Sequence, residues 1–132
     1  MKKLYYSSLF YVILGLIAGL SYRELTKHSD FTGNTVLVAT HTHILVLGFL
    51  FFLLVLILAK QFGVHQRKGF SSWFIVYHIG LLATVGALAA RGIMQINGTD
   101  FAGLPHIAGL GHTILGGALI WFVIMVGKSI KE

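Results

Sequence analysis

The stretch "VATHTHILVLGFLFFLLVLILAK", Val38 to Lys60, decides how the rest of the chain is read. An apolar run of this length crosses a bilayer, which takes roughly 20 helical residues. Near its start, however, stand two imidazoles, His41 and His43. Ionisable side chains at membrane depth are costly and rare, and they mark functional sites with partners.

Outward from this run, residues 4–22, 72–90 and 101–126 are also long and apolar enough to span, and the run itself extends over 35–59. Composition agrees. Hydrophobic residues make up 56% and charged residues 11% of the 132, about half the charge that a water-exposed surface carries. The expected fold is therefore an all-α integral membrane protein, a single domain over 1–132 with four transmembrane helices. The first span reads as a helix rather than a cleaved signal, because "GLIAGLSYREL" offers no small-x-small cleavage site.

Charge falls almost entirely in the links. Lys2, Lys3, Lys60, Arg67, Lys68, Lys128 and Lys131 belong to one side of the membrane, against Arg23, Lys27 and Arg91 on the other. The positive-inside rule then places both termini in the cytoplasm, N-in and C-in, with a bacterial inner membrane as the expected location. The net charge of +6 comes from these anchors, so the expected surroundings are a lipid bilayer and no nucleic acid. No cysteine is present, which excludes disulfides, thiolate metal sites and covalently attached haem.

Depth sorts the histidines. His41 and His43 lie about 9–12 Å inside the outer end of their span at 1.5 Å per residue. In "PHIAGLGHTILGG", His112 falls in the same layer with His106 nearer the surface, while His78 in "FIVYHIG" enters from the opposite side. His28 and His65 are expected in loops. At about 100° per residue, imidazoles at i and i+2 point roughly 200° apart, so His41 and His43 face opposite sides of one helix and cannot easily grip one ion together. Haem b suits such a greasy, cysteine-free site, since its iron accepts axial imidazole. Copper is unlikely by the same spacing. Arg23 and Arg91, at the outer helix ends, are candidates for haem propionates, and Gly48 and Gly111 are candidates for making room beside the ring. The carboxylates Glu24, Asp30, Asp100 and Glu132 lie in loops or the tail, so no carboxylate relay crosses the membrane.

The order "GLIAGLSYREL", polar loop, "NTVLVATHTHILVLGFLFFLLVLILA" resembles the first two helices of subunit I of the haem–copper oxidases. "HTHILVLG" also resembles a later helix of that subunit, where an HxH supplies ligands to two haems. The whole length looks like a small bacterial family of unknown function usually grouped with those oxidases. This resemblance implies a fold like one four-helix arc of the twelve-helix subunit, and three copies would then supply the full set. The favoured expectation is a homotrimer in which His43 of one protomer and His41 of the next ligate a haem at each interface. An alternative holds the haem within one chain, between His43 and His112. With no copper site and no buried carboxylate, a complete oxidase is not expected. Electron transfer is the expected function, with quinol or a membrane redox protein as partner; the alternatives are a sensor of NO, O2 or CO, a haem carrier, or a cofactor-free structural or transport protein.

Overall fold

A computed structural model of the protein describes residues 1–130, so that Lys131 and Glu132, one counted as an anchoring cation and the other as a tail carboxylate, lie outside the described residues. Four long helices fill the chain: α1 (Lys2–His28), α2 (Leu37–Phe62), α3 (Phe70–Ile96) and α4 (Gly103–Gly127). Each is long and apolar enough to span a membrane; at 1.5 Å per residue they measure about 40 Å, beyond the ~30 Å hydrocarbon core. Their outer surfaces bear aliphatic side chains such as Leu16, Leu110, Ile120 and Val123, the last 68% exposed. That is the surface of a protein solvated by lipid.

The helices extend past their apolar runs because nothing stops them there. "RELTKH" continues α1, so His28 is helical rather than in a loop, and the chain turns only at Ser29-Asp30, where Asp30 takes a positive φ of 46°. Gly63 ends α2 in the left-handed conformation and returns its N–H to Ala59 O; a short 3-10 turn over Val64–Gln66 carries His65.

Hydrogen bonds fix the order of packing. Ser7 meets His78, and Lys3 meets Ser71, so α1 and α3 start at the same end. Thr35 donates to Gly92 O, and Val36 N donates to Gln95 Oε1, joining the start of α2 to the end of α3. Trp73 Nε1 donates to Ala118 O, setting α4 antiparallel to α3. One end of the bundle thus carries Lys2, Lys60, Arg67, Lys68 and Lys128, and the other carries Arg23, Arg91 and the histidine layer; these are called the lysine end and the histidine end below.

Close helix contacts occur where a Cβ is missing. At Gly92 a Cβ would lie 2.5 Å from Leu37 N, and at Gly80 it would lie 2.8 Å from Leu115 N. Such gaps let backbones approach in membranes, where packing rather than hydrophobicity drives association. The core itself is aromatic: Phe52, Phe70, Trp73, Tyr77 and Phe122 interlock toward the lysine end, with Trp73 fully buried and stacked on Phe122 at 4.7 Å.

The centre of α2 departs from α-helical form. Ile44–Leu50 is π-helical, a rare geometry that gathers at functional sites. Its carbonyls draw hydroxyls from both neighbours: Tyr77 Oη donates to Leu47 O at 2.8 Å from α3, and Ser8 Oγ to Phe49 O at 3.3 Å from α1. Groups loosened by the wider turn must find partners inside lipid, and these two hydroxyls supply them.

Candidate histidine site

The π segment starts one residue after His43, and α2 presents its two histidines in different directions. His41 packs on α1, its ring atoms 3.7–3.8 Å from where a Cβ on Gly19 would stand. Its Nδ1 is buried without a hydrogen-bond partner. His43 turns the other way, toward α4, and meets His112: the ring centroids are 5.8 Å apart and the planes cross at 87°.

Both members of this pair are held alike. Nδ1 of His43 lies 2.8 Å from Ala39 O, and Nδ1 of His112 lies 2.7 Å from Ala108 O, each one helical turn back. A carbonyl can only accept, so each Nδ1 carries a proton, and in the neutral imidazole Nε2 is then the nitrogen with the lone pair. That is the arrangement in which protein imidazoles ligate metals, with the second nitrogen fixing tautomer and ring orientation. Nothing of the kind holds His41.

The centroid separation is that of an edge-to-face contact and also lies near that of two imidazoles sharing one ion. An ion bonded to both imidazoles at about 2 Å sets their centroids roughly 6 Å apart. No group of three or more His, Asp or Glu residues suited to a metal ion occurs among the described residues, so a bare tetrahedral ion lacks its other ligands. A haem needs only two. Beside His43 opens an apolar cleft of about 240 Å3, lined also by Thr42, Val46 and Leu47, and His112 is exposed on α4.

The other expected contributors stand elsewhere. Arg91 forms two 3.1 Å bonds to Asp100, from Nε to Oδ1 and from NH2 to Oδ2, so it is already engaged by a carboxylate of its own chain rather than standing free for a propionate. Its hydrogen bonds also hold the Asp100 carboxyl below its ordinary pKa. Arg23 is exposed on α1, one turn beyond Gly19 and thus on the His41 side of α2. Gly48 and Gly111 do not make room for a ring. The Tyr11 ring occupies the space at Gly48, 2.5 Å from its would-be Cβ, and the Thr84 backbone approaches Gly111 to 2.7 Å. Both are helix contacts.

The remaining histidines have ordinary partners or none. His78 bonds Ser7 Oγ through Nε2 and the Phe74 carbonyl through Nδ1, in a cage of Tyr11, Phe52 and Phe74. It joins α1 to α3. His65 Nδ1 lies 3.1 Å from Ala59 O, His28 lies 3.6 Å from Glu24, and His106 is exposed. Composition and spacing gave no sign of the π segment or of the Arg91–Asp100 pair, although the latter's nine-residue separation across a short helix-to-helix turn is a usable signal.

No curated protein and no solved structure matches the chain, and nothing in the comparisons links it to the haem–copper oxidases. A family model matches residues 1–129, nearly the whole length, and the chain belongs to the family described as Protein of unknown function (DUF2871).

Proposed function

We propose that this is a membrane b-type haem protein that moves electrons, in which His43 and His112 would hold the haem iron. The observation that carries this reading is the matched pair of imidazoles, 5.8 Å apart and each anchored through Nδ1. When bound, haem supplies a one-electron couple, and two imidazoles leave its iron no open position, which favours electron transfer over oxygen chemistry. Ala39 and Ala108 carbonyls hold a proton on each Nδ1 and fix the orientation of each ring. Val46 and Leu47 give the cleft an apolar wall. Quinol or a membrane redox protein is the partner proposed, and the Lys-rich end is proposed to face the bacterial cytoplasm.

This choice prefers the single-chain clasp to the trimeric ring, for a stated reason. The ring asks His41 to reach a neighbouring protomer, yet its Nδ1 is buried on the α1 side without a partner to orient the ring. An absorption spectrum of reduced protein from haem-sufficient cells tests both. The clasp predicts sharp low-spin b-type bands that His43→Ala and His112→Ala each abolish and His41→Ala leaves in place. The ring predicts loss with His41→Ala, retention with His112→Ala, and recovery when His41→Ala and His43→Ala chains are mixed. A colourless protein ends the haem reading altogether.

A further inference from the structure

The lysine end holds a pocket that the histidine site does not use. It is a cavity of about 380 Å3 between the α2–α3 turn and the end of α4, lined by Phe62, Gly63, Gln66, Arg67 and Ser129. Left-handed Gly63, at φ 65°, folds the turn back so that Arg67 reaches across to α4. There its Nε donates to Ser129 Oγ at 2.9 Å, and the buried Ser129 hydroxyl donates in turn to Met125 O at 2.9 Å. One edge of the guanidinium is thus clamped, and its terminal nitrogens have no partner among the described residues.

Among the described residues the surrounding charge is of one sign. Lys68 and Lys128 adjoin Arg67 and Ser129 in the chain, Lys60 lies in the last turn of α2, and the described carboxylates Glu24, Asp30 and Asp100 all belong to the opposite end. A planar guanidinium held at one edge is suited to a phosphate. We propose that this pocket binds the phosphate of an anionic phospholipid headgroup. Lipid is favoured over a free anion because the pocket opens where α2 and α4 leave the apolar zone, with the exposed Phe62 as one wall and the lipid-facing surfaces of both helix ends beyond it. A tethered acyl chain can lie along these groups, and inorganic phosphate cannot use them. Basic sites at this level of a membrane protein are the usual receptors for anionic headgroups.

Native mass measurement of the full chain, released from bilayers of phosphatidylcholine with a minor share of phosphatidylglycerol, tests the assignment. The chain should retain phosphatidylglycerol selectively, and Arg67→Gln should lower that retention about fivefold, the factor carried by one basic contact at a membrane surface. Ser129→Ala, which keeps every charge but frees the guanidinium, should lower it by a smaller factor. Lys2→Gln, at the same end but outside the pocket, should leave it unchanged. Equal losses with Arg67→Gln and Lys2→Gln would reduce the binding to diffuse attraction and overturn the site, as would inorganic phosphate binding as tightly as the lipid. Should Arg67→Gln fail to fold, an unchanged Ser129→Ala protein overturns it alone.

Discussion

At the scale of single residues, hydrogen bonds made by one nitrogen decide what the other can do. His78 spends both nitrogens on Ser7 and Phe74 and becomes an internal strut, whereas His43 and His112 spend one each and keep the other. Depth set His78 apart from His43 and His112 in the sequence, but not how each nitrogen is used, because the deciding carbonyls are backbone atoms common to every helix. The same limit hid the fate of Arg91. Its bonds to Asp100 lower that carboxyl's pKa, so the pair contributes above the ordinary carboxylate range and is lost as pH falls through the lowered value. Carboxyl NMR should therefore show Asp100 titrating below its usual midpoint, and Arg91→Gln should move it back up; an unmoved midpoint would contradict the clamp.

At the scale of elements, the four helices were legible, since hydrophobic length is the strongest signal a membrane chain carries, with bounds within three residues except at the ends of α1 and α3, which run six residues further. The internal form of α2 was not. "ILVLGFL" is uniformly apolar, and in lipid such a run offers no periodicity from which a π turn could be told from an α turn. What reveals it is the pair of donors, Tyr77 and Ser8, that meet its carbonyls. Tyr77→Phe should cost about 1 kcal/mol in a reversible unfolding titration, the size typical of an interhelical hydrogen bond in membranes. Amide exchange in the same variant should quicken at Ile44–Leu50 and stay unchanged in α4. Uniform exchange across both helices would mean that the hydroxyl does not hold the π segment. Gly48 tells a parallel story: its neighbour in sequence to the histidines suggested a cofactor, but three-dimensional neighbours are set by α1, and Tyr11 fills the gap.

At the scale of the molecule, two helical hairpins meet so that α2 and α4 run parallel and touch at two levels, His43 with His112 and Phe51 with Phe122. The stretches "HTHILVLGFLFFL" and "GHTILGGALIWFV" are faintly alike and fall in these two helices, so the pairing of entries into the bundle was readable, and with it the His43–His112 pair as the alternative to the ring. The absence of cysteine makes topology simple to measure. In oriented vesicles, single cysteines replacing Lys2, Lys68 or Lys128 should be labelled by an impermeant maleimide from one side, and one replacing Lys27 from the other. Labelling of Lys2 and Lys128 positions from opposite sides would refute an even number of crossings.

The π segment between His43 and Phe51 also changes how α2 should be altered by natural variation or by design. A turn that closes on the fifth residue rather than the fourth absorbs one residue more, and one residue is about 100° of rotation. The stretch bearing the histidines and the stretch bearing Phe51 and Phe52 are therefore out of phase on any single helical wheel. Forcing Ile44–Leu50 into regular α form at unchanged length would swing the imidazoles by about 100° relative to the aromatic half, whereas removing one residue along with the wide turn would leave both halves seated. In this helix, the wide turn is what aims the site.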